Sequence, residues 1–447
     1  MAQSENPANS NPHVVIVGAG FAGLAAAKAL GGSAARVTLI DRRNHHLFQP
    51  LLYQVATAAL SPADIAEPIR AVLRRHDNVE VLMDEVVDVD LDRRRVLTRD
   101  NADQSYDWLI LATGSGFSYF GHGEWAQFAP GLKSVEDALR IRNRMLLAFE
   151  MAETAPDPAE QRRLLTFVLI GGGPTGVEMA GAIAELAKAT LARDFRHIDP
   201  AAARILLVEA GPRLLGGFPD KLARYAERTL ERMGVEVRLD SPVEAVSPAG
   251  AVIRGKCVPA ANVVWCAGVE AGPVARWLGA PTERAGTVKV EPDLSLPGRP
   301  EVFVAGDAAF LEGADGKPLP GLAAVAQQQG AYLGKLIAGR IANRPDPGPF
   351  RYVDRGTMAT IGRAAAVADF PRVKLTGRIA WLLWGFVHIY QLVGFENRLR
   401  VFVTWMWSWA TYGRGARLIT ELPGSAPAPV GPPASSPPKR DKEAKTG

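Results

Sequence analysis

The sequence predicts an α/β fold made of two copies of one βαβ unit, followed by an amphipathic helical segment. Three observations predict it. Residues 13–41 read as strand, glycine turn, helix and strand: HVVIVGAG, FAGLAAAKAL, RVTLID. Residues 165–209 repeat the plan as LTFVLIGGG, PTGVEMAGAIAELAKATLA and RILLVEA. Short apolar runs closed by glycine are the signature of parallel strands buried on both faces. After residue 379 the pattern gives way to an aromatic, basic stretch, IAWLLWGFVHIYQLVGFENRLRVFVTWMWSWAT.

Bulk composition agrees with a folded chain of several domains. A length of 447 residues exceeds what one core sustains. Hydrophobic residues make up 47% and charged residues 22%, which argues against wholesale disorder. The two cysteines, Cys257 and Cys266, offer neither a disulfide framework nor metal-ligand spacing, so no metal is expected and the compartment is read as reducing. The polar start MAQSENPANSNP carries no signal or transit pattern. The net charge of +4 is unevenly spread: residues 371–417 hold seven basic residues against Glu396 alone, so the remainder is slightly acidic. Basic charge beside aromatic residues points to a membrane surface and away from nucleic acid.

The first glycine turn is GAGFAG, with Gly18 allowing the turn, Gly20 admitting a pyrophosphate and Gly23 letting helix and strand pack. The helix N-terminus that follows favours the phosphates. Asp41 closes the next strand 23 residues after Gly18, near the ~20 usual for a ribose-binding acid. This is a Rossmann-type dinucleotide site. In the second turn, GGGPTG, Gly171, Gly173 and Gly176 repeat the geometry, and Glu209 closes the following strand 38 residues on. The longer interval is assigned to an extended helix and loop through ARDFRHIDPAAA. A carboxylate there accepts from a 2′-hydroxyl and repels a 2′-phosphate, which favours NADH, although Arg213 nearby softens that preference. Glu178 is read in the first turn of the second helix. It serves there either as charge complement to the helix dipole or as a carboxylate near the nicotinamide or flavin edge.

Two further strand ends carry recognisable motifs. VFVAGDAA, with Gly306 and Asp307, resembles the glycine-aspartate motif of FAD-dependent, disulfide-reductase-like enzymes, whose aspartate binds the ribityl-pyrophosphate region. LATGS, with Ala112, Thr113 and Gly114, resembles the companion motif of that superfamily. Together with the first turn they imply FAD.

Across residues 13 to 420 the chain resembles the type II NADH dehydrogenases, single-subunit NADH:quinone oxidoreductases. Beyond the two turns, the likeness rests on HHLFQPLLYQVATAALSPADIAEPIR (45–70), GGGPTGVEMAGAIAEL (171–186), GDAA with LAAVAQQQGAYLGKLI (306–337), and residues 377–420. The last stretch is the most specific, because the wider flavoprotein superfamily lacks it.

The resemblance implies a discontinuous FAD domain (12–164 and 288–365), an NADH domain (165–287), a C-terminal membrane-associated segment (366–421) and a disordered tail (422–447). It implies a respiratory-chain flavoprotein oxidoreductase that takes hydride from NADH onto FAD and reduces a quinone without pumping protons. Gln49, Pro50 and Gln328 would line the quinone side. Family members carry AQxAxQ in that pocket. Here Ala324 replaces the first glutamine and Gln328 keeps the second. The N-terminus of the helix near Leu322, or less favourably Lys374, would stabilise reduced flavin.

The run Ile379–Phe395 spans 17 residues, short of the ~20 that cross a bilayer, and Glu396, Asn397, Arg398 and Arg400 interrupt it. Two helices lying in the interface over 379–411, with tryptophans at headgroup depth and arginines snorkelling, suit it better than two spans. That places the chain peripherally on the cytoplasmic face of the cell membrane. The alternative is a buried core or dimerisation element, for which a homodimer is the natural assembly. Competing functions are a soluble ferredoxin- or rubredoxin-type NADH reductase, which would not need residues 379–411, and a slow flavin-based redox sensor.

Overall fold

The computed structural model describes residues 11–411 and 416–420, so the proline-rich tail read at 422–447 lies outside the described residues. Along the chain the principal elements begin with β1 (His13–Val17), α1 (Phe21–Leu30), β2 (Arg36–Asp41), β3 (Val79–Met83), β4 (Trp108–Leu111) and α2 (Val135–Thr154). The second unit follows as β5 (Thr166–Ile170), α3 (Pro174–Glu185), β6 (Arg204–Val208), α4 (Asp220–Arg232), β7 (Val235–Arg238) and β8 (Asn262–Trp265). The chain then supplies β9 (Arg299–Val304), α5 (Ala323–Ile341), β10 (Thr357–Gly362), β11 (Ala365–Asp369) and β12 (Lys374–Thr376). It ends in α6 (Gly377–Gln391) and α7 (Phe395–Thr411).

Two sheets repeat one another. The parallel part of the first runs β9-β4-β1-β2-β3, with Ser295–Leu296 added antiparallel at the β9 edge, and the second runs β8-β5-β6-β7, each with its glycine-turn strand inside the sheet. In both, a three-stranded antiparallel meander (residues 86–105 and 243–259) separates the third strand from the fourth. Strand β9 returns to the first sheet only after the second is complete. Every residue of β1 and β5 is buried, because helices or meanders cover both faces, and this is why the strands read as unbroken apolar runs.

Small residues set the helix contacts that hold the first glycine turn. On α5, Gly330 and Gly334 face α1 at Ala22, Ala26 and Ala29; a Cβ at Gly330 would overlap the Ala22 carbonyl. On α3, a Cβ at Gly181 would overlap the Ile361 carbonyl of β10, so the second nucleotide helix lies against the C-terminal sheet β10-β11-β12.

Helices α6 and α7 break at Leu392–Gly394, where Gly394 takes φ +87°. Among the described residues no helix is long and apolar enough to cross a membrane. The sequence placed the tryptophans at the interface, but Trp384 is 3% exposed and stacks on Trp405 at 5.3 Å. The Trp405 indole donates to Gln54 Oε1 (2.8 Å). These rings face the protein because their large apolar area is better buried against the 45–70 segment than left at a surface. Of the arginines, Arg398 donates to the Leu392 carbonyl and lies over Tyr390, and the exposed Arg400 pairs with Glu396.

Gly330→Ala is expected to lower stability by about 1–3 kcal/mol, because a backbone carbonyl cannot move aside as a side-chain tip can. Denaturant unfolding at matched flavin content checks this, and an unchanged midpoint would remove the close α1–α5 contact from the account.

Candidate active site

The two glycine turns are built alike to the level of single hydrogen bonds. Gly18 sits at φ +98° with no room for a Cβ beneath the Ala112 carbonyl, and Gly23 packs on the Gly18 carbonyl. Gly20 has no atom within 4 Å of where a Cβ would stand, leaving the backbone open to a phosphate. Asp41, at the end of β2, accepts from Ala19 N–H (2.7 Å) with one oxygen and from Arg43 N–H (2.8 Å) with the other. Beneath the turn, the buried His46 donates Nδ1–H to the Ala19 carbonyl (2.9 Å), and burial lowers its pKa.

In the second unit Gly171 takes φ +111°, Gly176 packs on the Gly171 carbonyl, and Gly173 is open. Glu209 accepts from Gly172 N–H (2.6 Å) and from Gly211 N–H (2.7 Å). The carboxylate therefore lands where Asp41 does despite the longer interval. The excess forms a π-helical turn, Leu186–Thr190, and a loop. Glu153 of α2 clamps that loop by accepting the N–H groups of Arg196, His197 and Ile198. Arg213 donates to the Gly216 carbonyl (2.8 Å).

Three strand or helix ends converge on the first turn. Ala112 N–H donates to the Val17 carbonyl (2.8 Å), placing the LATGS motif beside it. Gly114 takes φ +69° with open space around it, and the Thr113 hydroxyl is buried without a hydrogen-bond partner. Asp307 accepts from the Ser115 hydroxyl (2.6 Å), which in turn accepts from the Lys133 ammonium (2.6 Å). Burial lowers the Lys133 pKa, and Asp307 opposes that shift. Gly306 N–H donates to Oε1 of the buried Gln329 (2.7 Å), and no side chain caps the start of α5 at Leu322.

Open glycines, an unsatisfied hydroxyl and an uncapped helix start are what a polar, phosphate-bearing cofactor such as FAD fills. Sequence reading missed Ser115, Lys133, Gln329 and His46. Ser115 was inside a quoted motif, and Gln329 was the third glutamine of a run whose second was chosen.

Glu178 lies in the second turn of α3 rather than the first, so the dipole reading fails. Its carboxyl accepts from Thr360 N–H of β10 (3.4 Å), and burial raises its pKa to about 8, leaving it mostly protonated at neutral pH. The Gln328 amide donates to the Val353 carbonyl and accepts from Val353 N–H, both at 3.0 Å, so it ties α5 to the segment leading into β10. Gln49 donates to the Lys133 carbonyl (3.2 Å). No hydrogen bond joins Gln49 to Gln328 among the described residues. Cys257 and Cys266 are free, and burial pushes the Cys266 thiol up to about 12, which does not suit a redox pair. No cluster of metal-ligating side chains occurs among the described residues.

Two outcomes are expected. Asp41→Ala should lose FAD on dilution while binding NADH normally. Glu209→Ala should keep its flavin and raise the KM for NADH about tenfold, each losing hydrogen bonds to a charged acceptor. Flavin absorbance and steady-state kinetics check the pair, and identical phenotypes would refute separate cradles.

Glu178→Gln removes a carboxyl whose folded pKa lies above its ordinary 4.5. In the wild type, stability falls as pH rises from about 4.5 to about 8, since only the unfolded chain ionises freely. The stability of the variant relative to wild type should therefore rise across that window. A pH-independent difference would show that the carboxyl is not held protonated.

The family profile for pyridine nucleotide-disulphide oxidoreductases matches residues 12–330, and that of the NDH2 C-terminal domain matches residues 355–414. The chain is 43% identical over 438 residues to the type II NADH:quinone oxidoreductase Ndh of Mycobacterium tuberculosis, covering 94% of each. It is 45% identical over 424 residues to NdhA of the same organism, covering 91% of this chain and 89% of NdhA. In fold it superposes on NDH2 from Plasmodium falciparum in complex with NADH with a TM-score of 0.83. That match covers 91% of this chain and 99% of the other at 21% identity. The chain belongs to the type II NADH:quinone oxidoreductases, within the pyridine nucleotide-disulphide oxidoreductase superfamily.

Proposed function

We propose that this FAD-dependent NADH:quinone oxidoreductase holds FAD in the Gly18–Gly23 cradle and NADH in the Gly171–Gly176 cradle. In this reading it meets its quinone from the lipid face of α6 and α7, on the cytoplasmic side of the membrane. FAD, when bound, accepts a hydride from NADH and passes two electrons to the quinone. The residues supply binding and orientation. Gly20 and Gly173 let phosphates approach backbone N–H groups, Asp41 and Glu209 accept from ribose hydroxyls, and the Thr113 hydroxyl and Asp307 side chain meet the flavin end. The buried Glu178 carboxyl accepts from Thr360 N–H and so joins the NADH helix to β10.

One observation carries the membrane part. Helices α6 and α7 are fastened to the very segment that continues from the Asp41 strand: Trp405 to Gln54, Asn397 to Glu67 (2.8 Å), and His388 against Phe48. Their outer faces hold exposed apolar stripes, Ile379, Leu382, Phe386 and Tyr390 on α6 and Leu399, Phe402, Val403, Met406 and Trp407 on α7. Such a face, flanked by the exposed cations Arg372, Lys374 and Arg378, suits an anionic lipid surface better than a second copy of the chain.

NADH oxidation by the detergent-purified protein tests the proposal, with a soluble ubiquinone analogue or ferricyanide as acceptor. Gln328→Ala frees the segment at Val353 and is expected to lower quinone turnover roughly tenfold, the ~1.4 kcal/mol of about two hydrogen bonds, with little change toward ferricyanide. Equal losses with both acceptors would exclude a role for Gln328 on the quinone side.

A further inference from the structure

A second charged feature stands beside the start of α6. A cleft of about 780 Å³ is lined by Lys221, Arg224, Tyr225, Arg228, Glu231, Arg232 and Thr376. Lys221, Arg224, Arg228 and Arg232 recur at helical spacing along one side of α4 and are all exposed. Arg224 pairs with Asp220, and Arg232 donates to the Arg228 carbonyl and the Thr229 hydroxyl. Lys221 and Arg228 have no carboxylate partner among the described residues, which leaves the cleft cationic despite Glu231.

The opposite wall is Thr376, the N-cap of α6, whose side chain caps no backbone N–H. The two walls are close: a Cβ at Gly377 would stand 3.4 Å from the Tyr225 hydroxyl. The start of a 15-residue helix that has no side-chain cap thus borders the same cleft as four cations. Ile379, the first residue of the exposed apolar stripe, follows Thr376 by three residues, about 5 Å along the helix axis. An acyl chain lying along that stripe would bring its own headgroup to the cleft.

We propose that this cleft between α4 and the start of α6 is a binding site for the phosphate of an anionic lipid headgroup, seating the NADH-side helix α4 on the membrane together with α6 and α7. The proposal rests on the membrane-docking reading given above and adds to it a lipid preference and a defined site. Charge complementarity and continuity with the apolar stripe select a lipid phosphate over a soluble anion, which would gain nothing from Ile379 and Leu382.

The test is co-flotation of the full-length holoenzyme with vesicles of phosphatidylcholine alone or phosphatidylcholine doped with phosphatidylglycerol, at fixed ionic strength. Wild type is expected to bind both, and the doped vesicles more tightly. The pair Lys221→Gln and Arg228→Gln should lose roughly thirtyfold of affinity for doped vesicles, at ~1 kcal/mol per cation near an anionic surface, and little for neutral ones. Lys221→Arg with Arg228→Lys should restore it. Arg75→Gln with Arg93→Gln, an equal charge change outside the cleft, should leave it intact. Flavin content and Tm should stay at wild-type values in all of them, because each side chain is exposed.

Equal binding of wild type to both vesicle types, or equal losses in the cleft pair and the Arg75/Arg93 pair, would overturn the site while leaving membrane docking in place. A thermal shift with inorganic phosphate that the cleft pair abolishes, with no phosphatidylglycerol preference, would make it a soluble-anion site and overturn the lipid assignment. Wild type binding neither vesicle, no better than Leu382→Glu with Phe386→Glu, would overturn the docking reading and the site with it.

Discussion

Each nucleotide unit depends on a carboxylate at the end of its second strand that grips the backbone of the glycine turn beside it. The turn must run at positive φ, leave space for phosphate and still satisfy N–H groups that the following helix cannot reach. Asp41 and Glu209 meet all three demands by accepting from the central residue of the turn, Ala19 or Gly172, and from the residue two positions after themselves. Bonds of this charged kind contribute about 1.5–3 kcal/mol each. An ionised carboxylate offers about four lone-pair sites, so holding the turn leaves acceptor capacity for a ribose hydroxyl.

Around that shared grip the two units diverge according to what covers their helices. Helix α1 is covered by α5, close enough that only glycine serves at 330 and 334. The same α5 contributes Gln329, which accepts from Gly306 N–H and so locks the strand end carrying Asp307. Helix α3 is covered instead by β10, through Gly181 and the Glu178–Thr360 bond. Because β10 belongs to the sheet whose last strand, β12, runs straight into α6, the second glycine-turn helix α3 and α6 share one small platform. Gln328 ties α5 to the chain just before that platform. These elements are thus joined by backbone-directed hydrogen bonds, which tolerate little displacement.

The C-terminal helices divide their aromatic residues between two solvents. Trp384 and Trp405 stack inward over the segment following Asp41, with His388 between Trp384 and Phe48. Burial pulls the His388 pKa down to about 4, so the imidazole stays neutral against the protein. Phe386, Tyr390 and Trp407 face outward. Amphipathicity here means two apolar faces, one matched to protein and one open, which explains why the whole stretch reads as nearly uniformly hydrophobic.

Much of this was written locally in the chain. Glycine spacing, buried apolar runs and a terminal acid fix a βαβ unit because each works within a few residues of its neighbours. The doubled fold, the use of FAD and NADH and the family were therefore legible from residues 13–41, 165–209, 306–307 and 377–420 alone. The shortfall below bilayer thickness read at residues 379–395 agrees with the absence, among the described residues, of a helix long and apolar enough to cross a membrane. What the sequence could not decide were partners set by contacts far along the chain. That Glu178 meets Thr360 rather than the helix dipole, that Gln328 is spent on Val353, and that Trp384 turns inward all depend on which distant segment packs opposite. The side-chain pattern of one helix gives the direction of its faces but carries no record of what will cover them. Tertiary packing supplies that by excluding water, which raises the Glu178 carboxyl to about 8 once β10 covers it.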